Sequence, residues 1–330
     1  AVTLAILTLA LLALGRALVG APRDASMAER TRYDGTVAIF YCSQFEDTPM
    51  HDWVPIKEWN GPYHPTLGEY RTDDRKIIQQ HLRWLRRAGV DVIFYDVARI
   101  QPELSLLDLP KQKTLQLLVD ELSHQEKEPR KLKLVVWMEK WNSNPTPGQY
   151  KFGLDYIRKN LANRDFYYRL DGKPLVLSYL NGPAPDHAKI EQDNQQFFTI
   201  RHVTSNSGTP GWKYFGPAGD HECMTVNPGA DGFLEDAFIR KYINKQPVDD
   251  NALRERGKAV ITQRANGKYF ENQLVKARQT DPKVIFVSGW NDWAWCLQIE
   301  PAKEYGFQYV DLLARLLGRE SETLPYRQPE

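Results

Sequence analysis

Four acids in this 330-residue chain, Asp96, Glu139, Asp292 and Glu300, stand at or just beyond the ends of strongly apolar runs. The stretch KVIFVSGWNDWAWCLQIEP (283–301) carries the pattern most densely. Its apolar run stops at Gly289, and Trp290, Asn291, Asp292, Trp293 and Glu300 follow. Other runs end in a similar vocabulary: Tyr41 with Ser43 and Gln44, Tyr95 with Asp96, Glu139 with Trp141 and Asn142, Tyr179, and His202. Carboxylates in such places can act as general acids, bases or nucleophiles. Amides and imidazoles bond hydroxyl groups, and indoles stack on the apolar face of a sugar ring. Together these residue types describe a carbohydrate site.

Each candidate has a plainer reading. Asp96 also suits a loop cap or an Arg partner. Asn291 and Asp292 suit a turn or helix cap. His202 suits a satisfied core histidine, and Trp290, Trp293 and Trp295 suit a wedge at one end of the core. Glu139 is the sharpest case: it closes a strongly apolar run, where an unpaired carboxylate is costly to bury, so a pocket position is favoured. The segment after the first apolar run, FEDTPMHDWVPIKEWNGPYHPTLGEY (45–70), adds Trp53, Trp59, Tyr63, His51 and His64. At 26 residues it exceeds an ordinary connection, and long ordered loops are commonly functional. The seven histidines are scattered, so no metal is expected.

An alternation of strands and helices must position these residues. Strands are predicted at 36–45, 90–98, 132–140, 173–180, 197–204, 222–228 and 283–288. Helices are predicted at 73–89, with Asp73 as N-cap and Gly89 at its end, and at 111–125, 148–162, 268–281 and 307–318. Nearly continuous apolar strands mark a buried parallel sheet. The repeated unit over some 290 residues favours an α/β fold of the (β/α)8 TIM-barrel type, a single domain over 31–330. The absence of a Gly-rich turn after the first strand argues against a dinucleotide fold. An eighth strand has no clear place between 205 and 265. In such barrels the site lies at the C-terminal strand ends, where the four acids fall.

Composition narrows the partners. Lys and Arg (43) balance Asp and Glu (42), and no basic tract suits nucleic acid. Nine Trp and sixteen Tyr suit a carbohydrate partner or a heavy core. Residues 1–30 open with AVTLAILTLALLALGRALVG, short for a membrane span and suited to a signal peptide, with an uncleaved anchor as the alternative. A secreted or periplasmic monomer is expected, with no membrane contact beyond that anchor. Cys42, Cys223 and Cys296 form no framework, though one pair could bridge after export.

AIFYCSQF, PYHPTLGEYRTDDRKIIQQHLRWLRRAGVDVIFYD, FYYRLDGKPLVLSYL and GWNDWAWCLQIEP together resemble the barrel of glycoside hydrolase family 99 and its family 71 relatives. The resemblance spans most of 36–318. It implies a secreted (β/α)8 enzyme acting on α-linked mannosides or glucans without an obligatory cofactor. In family 99 two Glu three residues apart follow the third strand. Glu139 matches the first, whereas Asn142 stands at the second and Lys140 replaces a Pro. Another carboxylate must then partner Glu139, from Asp292, Glu300 or Asp96, with Glu139 as base or nucleophile and Glu300 or Asp292 as acid. Asp96 would contact a hydroxyl or assist. Tyr41, Trp53, Trp59, His64, Trp141, Tyr179, His202, Trp290, Asn291 and Trp293 would bind the sugar. A non-catalytic carbohydrate-binding barrel and a role in polysaccharide assembly are the alternatives.

Overall fold

A computed structural model of the chain describes residues 32–43, 45–46, 54–55, 62–68, 70–98, 109–139, 145–179, 185–205, 211–230 and 262–320. Trp53, Trp59, Trp141, Asn142 and the N-terminal apolar segment lie outside the described residues.

Eight parallel strands form the sheet: β1 (Thr36–Tyr41), β2 (Val92–Ala98), β3 (Lys133–Glu139), β4 (Lys173–Tyr179), β5 (Thr199–Thr204), β6 (Trp212–Lys213), β7 (Cys223–Val226) and β8 (Val284–Val287). They run β7-β8-β1-β2-β3-β4-β5-β6, and a short strand, Ala218–Gly219, lies antiparallel on β7. The free edges are tied where Thr225 Oγ1 on β7 donates to the Lys213 carbonyl of β6 at 2.7 Å. This nearly closed α/β barrel meets the expectation from the alternation. The unplaced eighth strand is β6, whose two residues are too few to leave a periodic signal.

Helices α1 (Arg75–Arg87), α2 (Leu109–Ser123), α3 (Pro147–Asn160), α4 (Pro185–Asn194), α5 (Lys268–Thr280) and α6 (Gln308–Leu316) are the α-helices among the described residues. The N-cap of α1 is Asp74, not Asp73: Asp74 accepts from the Lys76 amide at 2.8 Å. Asp73 is instead drawn into ion pairs with Arg71 and Lys113. Gly89, at φ 78°, takes the left-handed turn that ends α1. Thr146 and Gln149 form a reciprocal capping box ahead of α3, with Pro147 in the first turn. Helix α4 was missed in the sequence because PDHAKIEQDN has little apolar periodicity.

Strand period two divides the core. Val37, Ile39, Ile93, Val136 and Ile285 face the helices. Ala38, Phe40, Phe94, Trp137, Leu177 and Phe286 fill the barrel. Inside, Phe40 meets Trp137 edge-on at 5.0 Å, and Phe94 lies 5.2 Å from Phe286. Each fully buried side chain of this size contributes about 1.5–3 kcal/mol relative to exposure. The rings plug the barrel and leave a floor for a pocket above them. Cys42, Cys223 and Cys296 are free and buried. No helix of the described residues is long and apolar enough to cross a membrane.

Candidate active site

A pocket of about 170 Å³ opens above the aromatic plug, at the C-terminal strand ends. That is an order of magnitude more room than one water needs. Its floor is Phe40 and Trp137. Asp96 of β2, Glu139 of β3 and Asp292 after β8 converge on it with Lys111 of α2. Tyr179, Tyr214, Phe215 and Trp295 form the walls.

Inward parity explains who arrives. On β3, Val135, Trp137 and Glu139 share the inner face; Glu139 is level with Tyr179, and Asp96 with Trp137. A register shift between Asp96 and Ala98 lies beside the acid. Such bulges commonly re-aim a side chain at a barrel rim. Tyr179 stacks on Trp137 at 5.9 Å and 30°. Glu139 is partly exposed, unlike its neighbours on the strand.

The polar groups differ in how tightly they are held. Asp96 and Lys111, 2 % and 3 % exposed, form a buried ion pair. Asp292 accepts from the Tyr214 hydroxyl, and from the Trp295 amide at 3.4 Å. Burial first, and then the Asp292 carboxylate, push the Tyr214 phenol well above the ordinary tyrosine range, so it keeps its proton at neutral pH. Among the described residues no group of three His, Cys, Asp or Glu side chains is arranged to hold a metal ion.

The Asp292 turn has its own frame. Gly289 (φ 148°) lets the chain double back, where a Cβ would stand 2.5 Å from the Leu297 carbonyl oxygen. Asn291 then behaves like an extra peptide unit on β1. Its Nδ2 donates to the Cys42 carbonyl at 2.7 Å, and its Oδ1 accepts from the Cys42 amide at 3.0 Å.

Several expected site residues lie elsewhere. Glu300 is fully buried behind the pocket wall, accepting from Tyr70 (2.7 Å) and Trp293 (3.1 Å) and paired with His81 (3.1 Å). Tyr41 faces the helices, where its hydroxyl meets His81 Nδ1 at 2.8 Å. Trp290 packs against His81 and Trp84 in the same outer layer. His202 points out to Glu191 of α4 at 2.9 Å. His64 is exposed and pins its loop to Glu304 at 2.7 Å. Thus, of the expected residues that are described, Asp96, Glu139, Asp292 and Tyr179 meet at the pocket. Tyr41, His64, His202, Trp290, Asn291, Trp293 and Glu300 serve the frame.

Lys111, Tyr214 and Phe215 were not anticipated. Lys111 read as an ordinary residue of a helix. Tyr214 and Phe215 follow β6, and recognising WK as a strand would have exposed them.

The family described as Glycosyltransferase WbsX matches residues 233–313. No curated protein matches the chain. Among solved structures, the GH99 endo-alpha-mannosidase from Bacteroides thetaiotaomicron is similar at a TM-score of 0.60 and 17% identity, covering 89% of this chain and 99% of that one. A structure of that organism's GH99 endo-alpha-mannosidase in complex with bis-tris-propane gives 0.58 and 17%, over 88% and 98%. A glycoside hydrolase-like protein gives 0.58 and 16%, over 91% and 97%. What the chain shares with these proteins is a barrel fold of the GH99 type.

Proposed function

We propose that the chain is an exported glycoside hydrolase. Glu139 acts on the anomeric carbon directly or through water; Asp292, in its protonated form, gives its proton to the leaving oxygen, and the Tyr214 hydroxyl bonds the carboxylate left behind. The observation carrying this reading is the convergence of a partly exposed Glu139 and Asp292 on one aromatic-walled pocket. Asn142 cannot ionise, so the partner carboxylate comes from across the barrel and not from the same loop. Asp96 and Lys111, held as a pair, offer an acceptor and a donor to neighbouring sugar hydroxyls. Trp137, Tyr179 and Trp295 offer ring faces to the sugar. Two carboxylates flanking a glycosidic bond are what either hydrolytic outcome requires, and their separation sets retention or inversion.

A second reading has specific support in the match to Glycosyltransferase WbsX: the same pocket passes the glycosyl group to an acceptor sugar in place of water. Incubating the protein with α- and β-linked oligosaccharides, with and without an excess of acceptor sugar, separates the two. Reducing ends formed in proportion to bonds cleaved support hydrolysis. Elongated acceptor without matching reducing ends supports transfer. Binding without either product excludes both in favour of a carbohydrate-binding barrel. N-terminal sequencing of the protein recovered outside the cytoplasm tests the export half of the proposal.

A further inference from the structure

Arg264, just ahead of α5, is buried (7 % exposed), and its Nε and Nη1 meet no hydrogen-bond acceptor among the described residues. Its Nη2 donates to two carbonyls of the Asp292 turn, Cys296 and Gln298, each at 2.8 Å. Its guanidinium lies over three phenol rings: Tyr63 at 4.7 Å, Tyr305 at 5.3 Å and Tyr309 at 4.7 Å. Ring faces and the two carbonyls hold this desolvated cation as a brace through Nη2. It joins four stretches of chain: the loop at 62–68, the lead into α5, the Asp292 turn and α6.

The brace falls where the turn is strained. Cys296 has φ 53°, a left-handed conformation that disfavours a side chain bearing a Cβ. Its amide bonds the Trp293 carbonyl at 3.1 Å, and the next amide, Leu297, bonds the Asp292 carbonyl at 3.0 Å. The bend therefore closes the short loop that presents Asp292. Strain of this kind persists where surrounding contacts over-determine it, and it gathers at functional sites.

We infer that Arg264 is a positioning residue for Asp292: by holding the Cys296 and Gln298 carbonyls it keeps the turn in the left-handed bend that aims the carboxylate into the pocket. This rests on the proposed role of Asp292. Lysine keeps the charge but loses the planar guanidinium that stacks among the rings and so fixes the donating nitrogen between the two carbonyls. Arg264→Lys is expected to raise amide exchange at Cys296 and Leu297 about five- to thirtyfold, the range set by the left-handed strain. On any glycan the wild type cleaves, kcat falls by a similar factor with little change in KM. Arg264→Lys/Cys296→Gly recovers most of both losses, because glycine accepts the bend; Arg264→Lys/Cys296→Ala does not.

Unchanged exchange in Arg264→Lys, or equal recovery with Gly and Ala, overturns the inference even if hydrolysis stands. A wild type without turnover removes the hydrolase reading, while the exchange measurement still decides whether Arg264 holds the turn. Should Arg264→Lys fail to fold, Cys296→Gly and Cys296→Ala with Arg264 intact decide the point. Gly is expected to protect the turn severalfold better than Ala, and equal protection removes the strain on which the inference depends.

Discussion

Two acid clusters sit within one wall's thickness of each other and do opposite things. Inside the barrel rim, Glu139 is partly exposed and faces Asp292 and the Asp96–Lys111 pair across a pocket. Outside the same wall, Glu300 is fully buried, with Tyr70, Trp293 and His81 around its carboxylate and Tyr41 behind the imidazole. Tyr41 and Glu300 lie on either side of the His81 ring, each sharing a hydrogen bond with one of its nitrogens. A carboxylate so enclosed binds structure together and has no access to a substrate. A carboxylate at a rim, facing open volume, is available to one. The same residue type therefore reads as frame or as chemistry according to the face of the strand or turn that carries it.

The largest stability effect should come from the enclosed cluster. Glu300→Ala strands the Tyr70, His81 and Trp293 donors in a dry layer, and losing one partner of a buried charged network costs about 3–5 kcal/mol. Denaturant unfolding should show that loss. Glu139→Ala, at a partly exposed rim position, should stay within about 0.5 kcal/mol of wild type. Equal losses for the two would erase the contrast.

Asn291→Ala comes next. It leaves the Cys42 amide and carbonyl without their partner, at about 1–3 kcal/mol for a buried orphaned group. Because Asn291 ties the Asp292 turn to β1, the same variant should also lose glycan affinity. A stability loss with unchanged binding would confine Asn291 to the frame.

The smallest effect is a pH-dependent one at His202, far from the pocket. Its bond to Glu191 raises its pKa above the ordinary 6.5. Burial acts the other way on Glu191, but the bonds from His202 and Tyr150 outweigh it and hold the carboxyl below its ordinary 4.5. A raised histidine pKa gives stability that is fully present below about 6.5 and is lost as pH rises through the raised value. A lowered carboxyl pKa gives stability present above about 4.5 and lost on acidification. The His202→Ala loss should therefore be larger at pH 5.5 than at pH 9. Since His202 is more than a third exposed, it should stay below about 1 kcal/mol. A pH-independent loss would show that packing, not the ion pair, sets it.

The barrel was legible because its strands are apolar on both faces and its helices carry caps and stripes. The site was legible only in part, and the reason is the two-residue period of a strand. Tyr41 and Cys42, or Tyr95 and Asp96, are neighbours in sequence and face opposite ways. Counting alternation forward from Trp137 places Glu139 inside; counting from Val203 places His202 outside. Residues beyond strand ends escape that count. Asn291 and Trp293 flank Asp292 yet turn into the frame, because Gly289 and the bonds to Cys42 and Glu300 set the path. Glu300 looked like a rim acid because it follows the same aromatic stretch. Only the return of the chain under Trp290, with the Glu300 amide on the Trp290 carbonyl at 2.8 Å, shows that it sits behind the wall.

The most direct measurement is the turnover of wild type, Glu139→Gln and Glu300→Gln on the same panel of α- and β-linked oligosaccharides, each at a temperature where all three are folded. The account predicts that wild type cleaves at least one glycan and that Glu139→Gln loses about 10²–10⁴-fold in kcat with its unfolding midpoint unchanged. Glu300→Gln should instead lose stability and keep most of its turnover per folded molecule. A Glu139→Gln variant that cleaves at the wild-type rate, or a Glu300→Gln variant that is inactive while fully stable, would contradict the assignment of the inner cluster to chemistry and the outer one to structure.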